Sequence, residues 1–249
     1  MSIETLHNKA LYDIIKKKLF SEGVFMRYNN IRKGVFLSRP NRFIANVLVN
    51  GEECVCHVKN TGRLGELLKN GAAVYLEESS NPLRKTKYDL VAAEKDGELF
   101  NIDSYAPNLA AGEYLKELYP DCRIRAEVKY GNSRFDFCIE DAGKRTFVEV
   151  KGVTLIKDGV ALFPDAPTER GVKHINELIG CVAEGCGARI LFVVQTENVQ
   201  TFSPNDETHR AFGDALRRAE AAGVEITAVS CIVTPDTMKI HRIIKEDIK

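Results

Sequence analysis

Residues 134–151 read RFDFCIEDAGKRTFVEVK and decide the fold of the second half of the chain. Apolar and polar residues alternate on both sides of the central DAGK, and a period of two is typical of β-strands. Phe135 and Phe137 are therefore expected on one face of the first strand. Because glycine adopts a positive φ without steric cost, the sequence predicts a hairpin centred between Ala142 and Gly143.

The centre of this turn determines which residues stand opposite each other. Asp136 is expected opposite Glu149, on the same side of the sheet as Lys151. Two carboxylates in that arrangement repel each other by roughly 0.2–1 kcal/mol, and a divalent cation would turn the repulsion into ligation. Oxygen ligands in this number suit Mg²⁺ or Mn²⁺. From the hairpin alone, ordinary surface charges on an antiparallel sheet are an equally good interpretation.

The composition is that of a soluble globular protein. The chain has 249 residues, of which 44% are hydrophobic and 28% are charged, enough for two modest domains or one large domain. No apolar run is long enough to span a membrane, and the first residues do not resemble a secretory signal. The seven cysteines lack disulfide-type spacing, so we expect free thiols and a cytoplasmic protein without a membrane partner.

The net charge of the chain is zero, but the charge is unevenly distributed. Residues 1–102 contain 16 Lys and Arg against 12 Asp and Glu, a net charge of +4, and residues 103–249 contain 19 against 23, a net charge of −4. A basic front half beside an acidic back half fits a nucleic-acid-binding platform next to a metal site. A bias of this size also arises by chance.

The first half predicts a helix followed by a small β-barrel. Residues 9–20 have the apolar spacing of a helix. Strands are predicted for residues 34–38, 43–49, 53–58, 73–77, 88–94 and 98–102. Asn50-Gly51 and Asp96-Gly97 would join two pairs of them as hairpins. Such a succession of short strands predicts an OB-like barrel.

Basic and aromatic residues of this barrel are candidates for nucleic-acid binding. The cations on or beside its loops are Arg39, Arg42, Lys59, Arg63, Arg84, Lys85 and Lys87. Five aromatic residues would stack on bases if exposed, although we expect most of them in the barrel core: Tyr28, Phe36, Phe43, Tyr75 and Tyr88. Cys54, Cys56 and His57 do not predict a zinc site, because no second ligand pair follows at a suitable spacing.

The second half of the chain predicts a sheet flanked by helices. Helices are predicted for residues 109–118, 169–184 and 206–222. Strands are predicted for residues 123–130, 134–140, 146–150, 153–156, 160–163, 189–195 and 225–234. This order is typical of an α/β sheet. The sequence therefore predicts an OB-like domain at residues 1–102 and an α/β domain at residues 103–249.

Several segments of the chain resemble the sugar fermentation stimulation protein family, SfsA. They are residues 39–43 (RPNRF), 60–64 (NTGRL), 81–88 (NPLRKTKY), 133–137 (SRFDF) and, most specifically, 163–174 (FPDAPTERGVKH). The resemblance extends over nearly the whole chain. It implies an N-terminal OB-type domain and a restriction-endonuclease-like, mixed-sheet domain of the PD-(D/E)xK nuclease kind. It also implies binding of nucleic acid without strong sequence preference.

Two segments depart from the family pattern. Val58-Lys59 stands where family members usually have Cys-Pro before Asn-Thr-Gly, and residues 101–105 (NIDSY) differ from the usual Val-Asn-Thr form. Both segments lie in the barrel or at the domain junction. They therefore bear on how nucleic acid is bound and leave the metal site unchanged.

The resemblance maps the nuclease triad onto Asp136, Glu149 and Lys151. Mg²⁺- or Mn²⁺-assisted phosphodiester hydrolysis would use Asp136 and Glu149 as ligands, with the carbonyl of Val150 completing the site. Lys151 would orient or deprotonate the attacking water and offset phosphate charge. Glu113 is a further candidate ligand, and an exposed helix charge is the alternative interpretation.

Other candidate site residues follow the hairpin in the chain. Arg170, Lys173 and His174 begin a helix, which is a suitable phosphate site, and a structural cap with solvent contacts is the alternative. Asp165 would either join the acidic site or bond to its own loop. Gln195 ends a buried strand and is a candidate for reaching the cleft.

Two functions remain open from the sequence. One is a metal-dependent nuclease that acts on DNA, RNA or both. The other, which the resemblance to SfsA implies, is a non-catalytic DNA-binding regulator of sugar (maltose) metabolism genes, which would bind without cutting. A carboxylate-pair glycosidase is disfavoured, because such acids need no lysine two residues away and the chain has no Trp for sugar stacking. The oligomeric state is left open, and a homodimer is one option.

Overall fold

The structure, a computed structural model of the protein, describes residues 26–249. The helix that the sequence predicts for residues 9–20 lies outside the described residues. The described chain forms two sheets, one of six strands and one of nine. None of the helices between residues 26 and 249 has the length and apolar character that crossing a membrane requires.

The first sheet confirms the OB-like barrel. Its strands are β1 (Ile31–Asn41), β2 (Ile44–Val49), β3 (Glu52–Val58), β4 (Ala73–Glu78), β5 (Tyr88–Lys95) and β6 (Glu98–Asn101). They are ordered β3-β2-β1-β4-β5-β6, and a parallel pairing of β3 with β5 closes the first five into a barrel. The β2–β3 hairpin turns at Asn50 and Gly51, whose φ values of 52° and 86° match the turn that this dipeptide favours.

The five aromatic residues of the barrel region differ in their surroundings. Tyr28, Phe36 and Tyr88 are buried, and Tyr75 is half-buried. Phe43, in the loop between β1 and β2, is 51% exposed. Phe36 and Tyr88 belong to the barrel core, whereas Tyr28 packs with residues of the second sheet such as Phe137. The expectation that most of the five rings fill the barrel core is therefore wrong, and Phe43 is the most exposed of the five.

The second sheet and its helices form the rest of the described chain. The helices are α1 (Ala106–Leu118), α2 (Glu169–Ala183) and α3 (Asp206–Ala221). The strands are β7 (Arg123–Tyr130), β8 (Ser133–Asp141), β9 (Lys144–Val153), β10 (Ile156–Lys157), β11 (Val160–Phe163), β12 (Gly187–Val194), β13 (Thr201–Pro204), β14 (Glu225–Val233) and β15 (Met238–Glu246). Their order is β10-β11-β13-β15-β14-β12-β9-β8-β7. β12 runs parallel to β9 and β14, and β7 to β9 form an antiparallel meander, so the predicted mixed sheet with flanking helices is confirmed.

Two apolar layers cover the faces of the second sheet. α1 packs on one face, against side chains that include Phe137 and Val148. α2 and α3 cover the opposite face, which includes Phe135. α2 begins after Thr168, as the sequence predicts, because the Thr168 hydroxyl accepts a hydrogen bond from the amide of Gly171 at 3.1 Å.

A set of buried hydrogen bonds, called here the interdomain joint, connects the two sheets. The amide of Asn101 donates to the carbonyl of Gln195 at 3.0 Å. The Gln195 side-chain amide donates in return to the carbonyls of Asn101 at 3.0 Å and Asp103 at 3.2 Å. The Thr196 hydroxyl donates to the carbonyl of Leu99 at 2.9 Å. Each buried polar group left without a partner would cost about 1–3 kcal/mol, so the joint favours one arrangement of the two domains.

Two strands of the second sheet were not predicted, and one predicted strand is divided. β13 has four residues and ends in a proline, and β15 buries only Met238, Ile240 and Ile244. Weak apolar patterns of this kind become strands only through pairing with strands that are distant in the sequence. The strand predicted for residues 153–156 is divided between the end of β9 at Val153 and the start of β10 at Ile156.

Candidate functional site

The hairpin of β8 and β9 turns where the sequence predicts. Asp141 pairs with Lys144. Between them lie Ala142 and Gly143, with φ values of 45° and 84°. Positive φ at both central residues is the two-residue turn whose twist matches that of the strands. The ladder keeps the predicted register from this turn as far as Phe137.

The ladder opens at Asp136, which is where the predicted pair of Asp136 and Glu149 would stand. In the described strands the pairing of β8 with β9 does not include Asp136 and Glu149. The pairing of β8 with β7 also skips Asp136, opposite Glu127, which has a φ of 57°. This distortion turns Phe135 to the opposite face from Phe137. The prediction that both rings share a face is wrong, because strict alternation requires an undistorted strand.

The carboxylate of Asp136 lies between β9 and α1. Its Oδ2 accepts a hydrogen bond from the backbone amide of Val150 at 2.8 Å. Its Oδ1 accepts one from the side-chain amide of Asn108 on α1. The sequence predicts that Asp136 stands directly against Glu149. The structure instead holds the Asp136 carboxylate at the backbone amide of Val150, the residue after Glu149. The charge-assisted bonds from Val150 and Asn108 fix its orientation.

Glu149 is a nearly buried carboxylate with a lysine and a histidine on one of its oxygens. It is 4% exposed, and its Oε1 accepts hydrogen bonds from Nζ of Lys151 and Nδ1 of His174, both at 2.5 Å. Burial opposes ionisation, but the charge of Lys151 and the bond from His174 outweigh it and hold the pKa of Glu149 below its usual value. Oε2 is buried without a hydrogen-bond partner in the described part of the chain.

His174 is buried behind Glu149, whereas its position near the start of a helix suggests a phosphate contact. Its Nε2 accepts a hydrogen bond from Nε of Arg170 at 3.4 Å, so the ring proton is assigned to Nδ1, which donates to Glu149. The edge of its ring packs against Phe135, with centroids 6.3 Å apart. Arg170 and Lys173 are exposed on the first turns of α2.

The donor atoms of this site are of the type that a hard divalent cation prefers. Mg²⁺ and Mn²⁺ bind through one or two carboxylates and keep several waters. The unsatisfied Oε2 of Glu149 is the atom that a cation would satisfy. Residues 26–249 contain no group of three His, Cys, Asp or Glu side chains that could hold a metal ion. An ion bound by Asp136 and Glu149 would therefore need main-chain or water oxygens as well.

Glu113 lies away from this site. Its carboxylate accepts a hydrogen bond from the amide of Met26 and lines a small cavity together with Lys239 and Ile240 of β15. β15 is separated from β9 by β14 and β12, so the structure does not bring Glu113 to Asp136. Burial of its carboxyl raises the pKa of Glu113 to about 7.

Replacing Glu113 by glutamine is expected to remove a pH dependence of stability. Its pKa is about 7 in the folded protein and about 4.3 in an unfolded chain, so the free energy of unfolding falls as the pH rises between these values. Glutamine keeps an acceptor for the amide of Met26 and does not ionise. Glu113→Gln should match the wild type near pH 4 and exceed its free energy of unfolding by about 1 kcal/mol near pH 8, allowing for partial exposure.

Urea unfolding at the two pH values measures this difference. Glu220→Gln is the control, because Glu220 is an exposed acid on α3, which does not line this cavity. A pH slope that is the same in the wild type and in Glu113→Gln would contradict the expectation.

Several of the barrel cations that are candidates for phosphate binding are engaged with acids. Arg84 forms a two-pronged bridge to Asp89, with N–O distances of 2.8 and 2.6 Å. Lys59 lies 3.0 Å from Asp103, and Lys87 has an acidic partner at 3.0 Å. These side chains are therefore less available to phosphate than their positions in the sequence suggest. Arg42, Arg63 and Lys85 are exposed.

Lys59, Asp89, Arg84, Asp103 and His57 form a group that is called here the ion cluster. Lys59 lies 3.7 Å from Asp89, and Nδ1 of His57 lies 3.2 Å from the same carboxylate. Burial opposes the ionisation of Asp89, but Arg84, His57 and Lys59 outweigh it and hold the pKa of Asp89 well below its usual range. Lys59, a departure from the family pattern, is thus part of the connection between the barrel and the residues that follow β6.

Arg39 organises two loops of the barrel. Its guanidinium donates to the carbonyls of Arg42 at 2.7 Å, Asn60 at 2.7 Å, Gly62 at 2.8 Å and Arg63 at 2.9 Å. The loop between β1 and β2 is thereby held against the loop that follows β3. A planar fork with four carbonyl partners leaves these loops little freedom, so the structure gives Arg39 a supporting position rather than an open phosphate contact.

A cleft of about 400 Å³ opens between these two loops and the second sheet. Arg42 and Thr61 line it on the barrel side, and Gln195 lines it on the other side. Asp165 also lines the cleft, and its Oδ2 accepts a hydrogen bond from the amide of Arg63 at 3.2 Å. Asp165 therefore connects to the barrel, an arrangement that neither of its two sequence interpretations included.

Models of known families match both halves of the chain. Residues 37–102 match the SfsA N-terminal OB domain, and residues 105–237 match the sugar fermentation stimulation protein RE domain. A sugar fermentation stimulation protein homolog of Desulfitobacterium hafniense is 52% identical over 216 residues, which cover 86% of this chain and 95% of that protein. A homolog of Clostridium beijerinckii is 51% identical over 219 residues, covering 87% of this chain and 97% of that protein.

A solved structure shows the same fold. SfsA of Pyrococcus furiosus, determined in complex with Ca²⁺, superposes with a TM-score of 0.78 at 30% identity. The match covers 90% of this chain and 98% of that protein. Together with the matched domain models and relatives, it shows that the chain belongs to the sugar fermentation stimulation protein family.

Proposed function

We propose that the protein is a divalent-metal-dependent nuclease that hydrolyses phosphodiester bonds in DNA or RNA with little sequence specificity. One observation carries this proposal. The opened hairpin brings the carboxylate of Asp136 to the amide of Val150, the residue that follows Glu149. The buried Oε2 of Glu149 has no hydrogen-bond partner in the described chain. A lysine donates to the other oxygen of the same carboxylate. The two acids are thus held at neighbouring positions of β9, one of them bonded to a lysine, and could provide a pair of ligands and a nearby cation for a phosphate.

The roles of the individual residues follow from their contacts. Asp136, Oε2 of Glu149 and the carbonyl of Val150 would hold Mg²⁺ or Mn²⁺, which supplies Lewis-acid stabilisation of the charge that develops on phosphate oxygens. Lys151 would place its ammonium beside the scissile phosphate and orient the attacking water. Asn108 and His174 fix the two carboxylates through the bonds described above.

The relatives and the first domain support this proposal. The P. furiosus SfsA structure is a complex with Ca²⁺, an oxygen-ligated cation of the same hard class as Mg²⁺. OB-like barrels commonly bind single strands along a basic groove with exposed aromatic side chains. In this chain Arg42 and Phe43 lie next to each other on an exposed loop of the barrel. Nucleic acid is therefore the partner that we propose.

A nucleic-acid-binding regulator that does not cut is the second candidate. It is favoured by Lys151, whose ammonium already offsets the charge of Glu149. This candidate requires salt-dependent binding that survives the loss of Asp136.

A cleavage assay with a matched pair of variants separates the two candidates. Labelled single- and double-stranded DNA and RNA are incubated with the protein in Mn²⁺, in Mg²⁺ and in chelator. We expect metal-dependent cleavage by the wild type and by Asp141→Asn, which changes an exposed acid in the turn of the same hairpin. Asp136→Asn should be slower on the order of 10²–10³-fold. Equal background rates for the wild type and Asp136→Asn, with binding retained, would establish the regulator instead.

A further inference from the structure

We infer that the cleft between the barrel and the second sheet holds one unpaired nucleotide of the substrate strand, so that the protein acts on single strands and frayed ends. This inference rests on the nuclease function proposed above. It adds the class of substrate to that function, and it assigns a ligand to a cavity that is lined by Asp165 and lies beside Asp136 and Glu149 without including them.

The position of the cleft connects it to the acidic hairpin. Gly152, which lines the cleft, directly follows Lys151 on β9, and adjacent Cα atoms are about 3.8 Å apart. β9 and β12 are parallel, and Gln195 lies just beyond the carboxyl end of β12. Ligands of open α/β sheets bind outside the carboxyl ends of parallel strands. A nucleotide in the cleft would thus be joined to the phosphate next to Lys151.

The cleft has fixed walls on its barrel side. The four bonds of Arg39 hold the loops that carry Arg42 and Thr61. The bond between Asp165 and the amide of Arg63 ties the same region to the second sheet at 3.2 Å. A ligand therefore meets a shaped surface and does not have to order these loops, which lowers the entropic cost of binding.

Polar and apolar groups of the cleft suit a nucleoside. The side-chain amide of Gln195 is held by bonds from the interdomain joint, which directs its Oε1 toward Gly152. A Cβ added at Gly152 would lie 2.6 Å from that oxygen and 2.7 Å from the ring of Pro107, so the glycine lets β9 pass close to the polar end of Gln195 at the edge of the cleft. The half-buried ring of Phe163 is fixed by Phe192 and Phe212, at centroid distances of 5.7 and 5.1 Å, and offers an apolar wall for a base.

The charge and size of the cleft narrow the choice of ligand. Arg42 is its one lining cation, and no acid pairs with Arg42 in the described part of the chain, so it is available to a phosphate. A volume of about 400 Å³ lies at the small end of ligand pockets and suits a single nucleotide. A paired base in a duplex is stacked and cannot enter without being unpaired.

Binding of mononucleotides in chelator tests the cleft without using catalysis. 5′-AMP, adenosine and a single-stranded trinucleotide are titrated by NMR or calorimetry. Thr61→Trp places a ring at an exposed, lining position and should weaken 5′-AMP binding at least about tenfold by filling the space. Glu52→Trp, at the other end of β3, is the control and should bind as the wild type does. Arg42→Gln should weaken 5′-AMP roughly 3–10-fold and leave adenosine unchanged, whereas Lys69→Gln, an exposed barrel cation, should change neither.

Each result tests either the assignment of a nucleotide to the cleft or the proposed nuclease function. Wild-type protein that binds no 5′-AMP at millimolar concentration, or Thr61→Trp that binds like the wild type, overturns the cleft assignment, whether or not the protein cleaves. A free mononucleotide that binds more tightly than the trinucleotide also overturns it, because the cleft would then serve free nucleotides. If the variants change nucleotide binding as expected but the protein cleaves no strand, the nuclease function is contradicted and the cleft is supported as a nucleotide site. Faster cleavage of a single strand than of a blunt duplex, lost in Thr61→Trp, supports both.

Discussion

Replacing Glu149 by glutamine is expected to lower metal-dependent cleavage on the order of 10³-fold, because the change removes the charge from the more deeply buried of the two carboxylates. Glutamine retains an oxygen that accepts from Lys151 and His174, so the fold should persist. The ammonium of Lys151 loses its countercharge, and the new amide has no acceptor, so the free energy of unfolding should fall by about 1–3 kcal/mol. Cleavage is measured at a temperature where both proteins are fully folded, and Mn²⁺ binding is measured by calorimetry.

Two further variants test whether the loss of cleavage is specific to the carboxylate of Glu149. Glu140→Gln, on the solvent-facing part of β8 with exposed arginine partners, should cleave at the wild-type rate. His174→Gln should lose about 10–100-fold in metal affinity or rate, because His174 positions Glu149 without touching the phosphate. If folded Glu149→Gln cleaves as fast as the wild type, the buried carboxylate serves the structure alone, and the site needs another explanation.

Replacing Asp89 by asparagine should produce the largest loss of stability among the barrel variants. Asp89 is 6% exposed and is the shared partner of Arg84, Lys59 and His57. Removing its charge leaves the half-buried guanidinium of Arg84 without its acid, and it leaves Lys59 with only Asp103 and Glu77 as acidic partners. We expect the free energy of unfolding to fall by about 2–4 kcal/mol, measured by urea denaturation at neutral pH. Glu78→Gln is the control, since Glu78 makes exposed ion pairs on the same barrel and should have little effect.

The pH profile of Asp89→Asn adds a second expectation. Because the pKa of Asp89 is held well below its usual range in the folded protein, its contribution is fully present above its unfolded pKa of about 3.9 and is lost as the pH falls toward the folded value. The stability difference between wild type and variant should therefore be constant between about pH 5 and pH 7 and should shrink below about pH 4. A difference that grows in acid would contradict the assignment of Asp89 as the ionised centre of the cluster.

Local signals in the sequence were sufficient for most of the fold. The pairs Asn50-Gly51 and Ala142-Gly143 form the turns of two hairpins, and both residues of each pair have a positive φ. The glycine in each pair, which adopts a positive φ readily, is the signal that the sequence provides. The register of β8 and β9 followed from the position of the second turn. The missed strand β15 marks the limit, since β15 exists through pairing with β14 and β13 rather than through its own apolar pattern.

The arrangement of the candidate site depends on contacts that no local pattern reveals. Asp136 is held by Asn108, 28 residues earlier, and by the amide of Val150, 14 residues later. The sequence argument that two facing carboxylates require an ion took no account of these donors, or of Lys151 and His174 on Glu149. The prediction of a bound metal therefore stays a prediction, and its support is now the unsatisfied Oε2 rather than repulsion between the acids.

One signal for the position of His174 was present in the sequence. His174, Leu178 and Cys181 are spaced to share one face of α2, and the structure buries all three. A histidine on an apolar stripe is expected inside the protein. The basic residues Arg170 and Lys173 beside it suggested a phosphate contact, and they lie on the exposed side of the same helix.

The interdomain joint also constrains how a nucleic acid can approach. Since Asn101, Gln195 and Thr196 are buried and bonded across it, the barrel cannot swing away from the hairpin without exposing or stranding those groups. A nucleic-acid strand bound on the barrel would reach Lys151 over a surface that is already formed in the free protein. It would not need the two domains to close around the substrate. A rigid surface of this kind favours binding of many nucleotide sequences, because it contacts the sugar-phosphate backbone and does not depend on the identity of the bases.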